Sequence, residues 1–196
     1  MKILVDYIKR HKFIYFMICI AFLLGLIIGS IFLLKIQNID RVELKKYIED
    51  IVVLSEKNGI DRLSVFKKSI IDNVKFSFVL YLLGCTIIAG FTVYIAIFYK
   101  GIILGYTISS ILISFGLQGS IKYLFPIIIL HNVVFLPIVF LLAMSGIVLH
   151  KEIMKRNYNF KMIILRHTLI MLISLMFCVI SSGIEAYFST IIFEIL

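Results

Sequence analysis

The chain has 196 residues, of which 62% are apolar, a formal net charge of +9 and a mean hydropathy of +1.10. Soluble domains run at roughly 45–50% apolar, so a water-soluble enzyme core is excluded and the length suits one compact membrane domain, residues 1–196. The basic excess flanks apolar runs, where topology signals sit, so it is not a nucleic-acid signature.

Five apolar runs separated by short charged stretches predict an all-α, polytopic membrane protein of about five transmembrane helices. A helix rises ~1.5 Å per residue, so ~20 residues cross the ~30 Å hydrocarbon core. The expected spans are about 13–34, 76–99, 102–117, 123–149 and 165–185. Lys2, Lys9, Arg10 and Lys12 precede the first span, as in a signal peptide. However, the apolar run exceeds the usual ~7–15 residues and no A-x-A site follows, so an uncleaved helix is expected. It contains Gly25-Leu26-Ile27-Ile28-Gly29, a GxxxG pattern that permits close helix approach.

Residues 35–75 form an extracytoplasmic segment that reads as two short amphipathic helices. Asp40-Arg41-Val42-Glu43 has capping-box form, with Leu44, Tyr47, Ile48, Ile51 and Leu54 following at helical spacing. Asn58-Gly59 ends that helix. Asp61 caps a second one, with Leu63, Phe66, Ile70 and Val74 on one face. The segment is either a cap packed on the bundle or outer leaflet, or a partner-docking surface using Leu44, Ile48 and Ile51.

The next run, 76–121, is interrupted by Lys100-Gly101 and is too long for one crossing, so a tight hairpin is expected at 99–101, with Gly101 allowing the reversal. Gly101-Ile102-Ile103-Leu104-Gly105 is a second GxxxG pattern, and 116–120 makes the next turn on the outer face. The fourth span carries His131-Asn132 and Pro137. The basic stretch Lys151, Lys155, Arg156, Lys161 and Arg166 follows, and the fifth span closes on Ser181-Ser182-Gly183-Ile184-Glu185-Ala186-Tyr187.

Cytoplasmic flanks are rich in Lys and Arg, which assigns the N-terminus inside and the C-terminus outside. One segment conflicts: 35–75 carries nine Lys/Arg yet falls outside, and its seven acids do not count in the rule. Polar residues inside spans are costly and face the bundle interior. Asn73, Lys75, His131, Asn132 and Glu185 all fall in the outer half and form a candidate polar cluster, with Glu185 paired to Lys75 or to His131. Such a cluster is structural, partner-binding or an ion or proton site. Cys19, Cys85 and Cys178 lie in separate spans and read as apolar packing residues. There is no HExxH, GxSxG, P-loop or Cys/His cluster, so no catalytic residue, metal or cofactor is expected.

Four blocks carry a family resemblance. They are Phe66-Lys67-Lys68-Ser69 through Asn73-Val74-Lys75, then Lys100-Gly101-Ile102-Ile103-Leu104-Gly105-Tyr106-Thr107, then His131-Asn132-Val133-Val134-Phe135-Leu136-Pro137, and finally Ser181 through Tyr187. In order and spacing over nearly the whole chain, the protein resembles the stage II sporulation protein M family (SpoIIM). The resemblance implies a multi-pass protein of the cell membrane, at the septal or engulfing membrane of sporulating cells. It implies a non-enzymatic scaffold that recruits SpoIIP-like and SpoIID-like peptidoglycan hydrolases. The alternative is the membrane subunit of a transporter working with a separate ATPase. Membrane lipid is the other expected partner, nucleic acid is not one, and a homo-oligomer is left open.

Overall fold

The structure, a computed structural model, describes residues 2–35, 42–43, 45–46, 61–86, 88–124, 130–155 and 160–189. Among these residues there are six long or short helices and no strand. They are α1 (Lys2–Arg10), α2 (Lys12–Leu34), α3 (Arg62–Cys85), α4 (Ala89–Leu124), α5 (Leu130–Met154) and α6 (Phe160–Gly183). A six-residue π turn, Ile184–Ser189, continues α6. Four stretches are long and apolar enough to cross a membrane: Lys12–Leu33, Ala89–Gly116, His131–Met154 and Lys161–Tyr187. With 24 residues α3 is about 36 Å long and equally able to cross by length. Lys67, Lys68, Asp72 and Lys75 keep its first half less apolar.

The bundle is built around α5. Within its apolar window 67% of residues are buried, against 28–33% for the other three candidate spans, so α5 is the central helix. Phe135, Val139, Leu142, Met144 and Ile147 form the middle of the core. The outer faces of α2, α3, α4 and α6 present large apolar side chains such as Phe16, Leu24, Phe78, Phe91 and Leu172. That pattern suits lipid as the solvent, because exposing apolar groups there carries no penalty.

Packing follows small residues. The two GxxxG patterns meet: a Cβ on Gly25 or Gly29 of α2 would overlap the carbonyls of Phe98 and Ile102. One on Gly101 or Gly105 of α4 would overlap those of Phe22 and Leu26. Ser30 Oγ donates to the Gly105 carbonyl at 3.3 Å across the same seam. A second close approach, between Gly84 of α3 and Gly146 of α5, is sealed by the ring of His167.

Two expectations are corrected. The hairpin is not at 99–101: the helix runs unbroken through Lys100-Gly101, and the break falls between Cys85, which ends α3, and Ala89, which starts α4. Thr86 is extended (φ −83°, ψ 157°), and its hydroxyl and N–H both bond back to the Leu83 carbonyl, at 2.7 Å and 3.1 Å, closing the end of α3. Gly101 is needed for contact with α2, not for a reversal. The helix expected at 76–99 is thus 62–85, and the next begins at Ala89. The other correction concerns 61–75, which is the first half of α3 and not a separate amphipathic helix. Asp61 does cap it, accepting from Leu63 N–H at 3.1 Å and from Ser64 Oγ at 2.5 Å. The Ser64 hydrogen bond holds its carboxyl below the usual range. The buried stripe of α3 is Ser69, Asn73, Ser77, Leu80 and Gly84, while Leu63 is exposed. In the expected turn at 116–120 the helix is broken at Gly116, which has φ +67°, a left-handed conformation that favours glycine. Ser120 Oγ then donates back to the Ile111 and Gly116 carbonyls. Leu44, Ile48 and Ile51 lie outside the described residues.

Candidate functional site

Where α3 and α5 begin and α6 ends, polar side chains from three helices converge. On α3, Ser69 and Asn73 sit one turn apart on the buried stripe. Residues three or four apart share a helix face, so the spacing aims both at the same neighbours. On α5 the first turn supplies His131, and on α6 the last turn supplies Ser181 and Ser182. The π turn, whose widened spiral re-aims side chains, supplies Glu185.

The hydrogen bonds close on themselves. Ser69 Oγ lies 2.6 Å from Glu185 Oε2 and 2.9 Å from Ser182 Oγ. An ionised carboxylate can only accept, so the Ser69 proton goes to Glu185. Ser69 Oγ then accepts from Asn73 Nδ2 at 3.2 Å; Asn73 Nδ2 also lies 3.2 Å from Ser182 Oγ. Nδ1 of His131 meets Ser181 Oγ at 2.7 Å, Glu185 Oε2 at 3.1 Å and the Ser181 carbonyl at 3.3 Å. Two of those three neighbours are acceptors, which assigns the imidazole proton to Nδ1. Ser69, Asn73, His131, Ser181 and Ser182 are buried, while the Glu185 side chain keeps 30% exposure. A serine, a histidine and a glutamate in contact resemble a catalytic triad in composition. In a triad the nucleophile and the acid bind opposite ring nitrogens so that a proton can relay. Here both meet the same nitrogen, and the arrangement clamps α5 to α6 instead.

Of the candidates from the sequence, Asn73, His131 and Glu185 come together, and the Glu185–His131 pairing is the one present. Lys75 does not join them. It lies two residues past Asn73, about 200° around the helix, and is exposed. Asn132 is half-buried beside His131.

Lys100 was missed. Its Nζ sits 5.2 Å from the ring centre of Phe76 and 5.3 Å from that of Phe135. Phe135 also stacks on His131 at 5.6 Å, so one ring separates the imidazole from the ammonium. The faces of aromatic rings attract a cation and lower the cost of placing it in the bundle. Reading Lys100-Gly101 as a loop concealed this. At the opposite end a second group was missed. Ser145 Oγ lies 2.6 Å from His167 Nδ1, the ring stacks on Tyr81 at 4.8 Å, and His167 Nε2 lies 3.3 Å from the Tyr81 carbonyl. The available signal was small and polar residues at helical spacing, as in Ser69, Asn73 and Ser77.

The whole cluster, from Ser69 to Glu185, falls within residues 18–190, which match the family model described as Stage II sporulation protein M. The chain belongs to the SpoIIM family. Comparison with curated proteins and with solved structures finds no match. Family membership and the four apolar helices together make it a membrane protein of a sporulation family. Among the described residues no group of three or more His, Cys, Asp or Glu is placed to hold a metal ion.

Proposed function

We propose that the protein is a non-enzymatic membrane scaffold of the peptidoglycan-degrading engulfment complex, holding SpoIIP-like and SpoIID-like hydrolases at the septal membrane. The observation that carries this is the SpoIIM match over nearly the whole chain. The self-satisfied polar cluster supports it. Its serines, Asn73 and His131 bond to one another, with Glu185 as their shared acceptor, which suits a rigid frame better than a reacting centre. On this proposal the N-terminus is cytoplasmic and the Glu185 end faces out, toward the wall and the hydrolases.

One observation favours a second reading, a transporter subunit: Lys100 is an ionisable side chain within a long apolar helix, held between the rings of Phe76 and Phe135. Intramembrane ionisable groups mark ion or proton paths by default. Affinity purification of the full chain from sporulating cells separates the two. Recovery of peptidoglycan hydrolases supports the scaffold. Recovery of a nucleotide-binding subunit without hydrolases refutes it and supports the transporter.

A further inference from the structure

At the end of the bundle opposite Glu185, α1 lies across the start of α6 and leaves a cavity of about 420 Å³ between them. From α1 it is lined by Asp6, Tyr7 and Arg10, and from α6 by Arg166, Leu169, Ile170 and Ile173. The α6 residues occur at i, i+3, i+4 and i+7, so they form one stripe on one face. That stripe runs from a guanidinium to three apolar side chains over about 10 Å of helix. The polarity changes along the groove as it does along a phospholipid, from phosphate to acyl chain.

The charged end is set up to meet an anion. Arg166 lies with its guanidinium carbon 5.5 Å from the ring centre of Tyr7, which orients it. Burial pushes the Tyr7 phenol up to about 12, with Arg166 pulling the other way, so the phenol is neutral and brings no negative charge. Neither Arg10 nor Arg166 forms an ion pair with a carboxylate among the described residues, and both are exposed. Asp6 is the acid in the lining, so two cations face one anion. A neighbouring cavity of about 320 Å³ shares Tyr7, Arg10 and Arg166 and extends to the polar side chains of His11, Ser145 and His167, with Glu152 its acid. The apolar groove and the polar cavity therefore meet at the two arginines. Leu169 is 50% exposed on the lipid-facing side, which leaves the apolar end open to the bilayer.

We infer that this groove is a binding site for one anionic phospholipid, with the phosphate between Arg10 and Arg166 and an acyl chain along Leu169, Ile170 and Ile173. Basic pockets at the ends of membrane helices recognise anionic headgroups, and the continuous apolar stripe selects a lipid over a free phosphate. The site is independent of the outer polar cluster and of the scaffold proposal. It would tie α1 to the membrane wherever anionic lipid is enriched.

The chain has no tryptophan, so Leu169→Trp introduces a single fluorophore in the groove. Leu24→Trp, at a 51% exposed position on the lipid face of α2, is the control. The full chain is reconstituted in mixed phosphatidylglycerol and phosphatidylcholine vesicles with bromine on one lipid at a time, and quenching gives the relative binding constant. In Leu169→Trp, phosphatidylglycerol should be preferred about thirty-fold, from two cations at the usual contribution of each. In Leu24→Trp the ratio should be near one. Adding Arg10→Gln and Arg166→Gln should bring the groove ratio to near one and leave the Leu24→Trp value unmoved. If the double variant misfolds, Arg10→Gln by itself carries the test, with about a fivefold loss expected. A groove ratio near one in the parent protein, or a preference that survives loss of the arginines, overturns the proposal. So does a preference abolished by excess inorganic phosphate at constant ionic strength, which would mark a free-anion site.

Discussion

Glu185 accepts from Ser69 at 2.6 Å and meets His131 at 3.1 Å, so one carboxylate joins α3, α5 and the end of α6. Glutamine keeps the shape and an acceptor oxygen, and its amide can donate to a rearranged neighbour. Membrane hydrogen bonds average about 0.6 kcal/mol, so a clamp should survive the change. Leucine removes the charged acceptor and leaves Ser69 only Ser182 Oγ, and His131 only Ser181, to donate to; each hydrogen bond to a charged group that is lost costs about 1.5–3 kcal/mol. Glu185→Gln should therefore keep near-normal protein level and substantial engulfment function, and Glu185→Leu should lower the level, read by immunoblot and by membrane imaging of sporulating cells. A Glu185→Gln protein that accumulates normally but fails as completely as a deletion would mean that the carboxylate titrates in function, and the transport alternative would gain.

Helices here pack by their smallest residues, and this decides how far the sequence could be read. Where Gly25 and Gly29 face Gly101 and Gly105, any Cβ meets backbone carbonyls, which cannot rotate away. Gly101→Val should cost about 1–3 kcal/mol and lower the thermal midpoint in detergent. Gly183→Ala, whose added carbon comes only within 4.0 Å of the Phe66 ring, should leave the midpoint unchanged. Equal effects would show that the seam does not hold α2 to α4. Apolar length, the GxxxG patterns, the Asp61 cap and the Gly116 turn were all legible, because each is a local property of a few residues. The position of the α3–α4 turn was not. Charge reads as a break in hydropathy, so Lys100 drew the turn fourteen residues past Cys85, whereas aromatic partners from α3 and α5 hold it inside the bundle. The polar cluster was half legible for a related reason. Hydropathy marks Lys75 and Asn73 alike, and only the rotation about α3, set by Ser69 and Ser77, separates the exposed one from the buried one. Cys85 tests the corrected turn directly. It is exposed at the last residue of α3, so in membranes opened to both faces, from a variant lacking Cys19 and Cys178, it should react with an impermeant maleimide. A hairpin at 99–101 would place it mid-bilayer and leave it unreactive.

Across the whole molecule the two ends differ in kind. Arg166 packs over Tyr7, so the basic N-terminal helix and the basic stretch before α6 share one end. That gathers Lys9, Arg10, Lys12, Lys151, Lys155, Lys161 and Arg166 at a single end, which the positive-inside rule favours as cytoplasmic. The other end holds the start of α3, the start of α5 and the Glu185 cluster, with Arg62, Lys67, Lys68 and Lys75 on α3. Charge counting therefore pulls in both directions, and labelling decides the orientation. In a background with Cys19, Cys85 and Cys178 replaced by alanine, a cysteine is placed at Leu63, 61% exposed at the start of α3, or at Lys155, exposed after α5. With the N-terminus inside, Leu63→Cys should react with an impermeant reagent on intact cells. Lys155→Cys should react only after permeabilisation. The reverse pattern would invert the molecule and put the Glu185 cluster on the cytoplasmic side. The scaffold proposal would then lose its route to hydrolases of the wall, since the Glu185 end would face away from them.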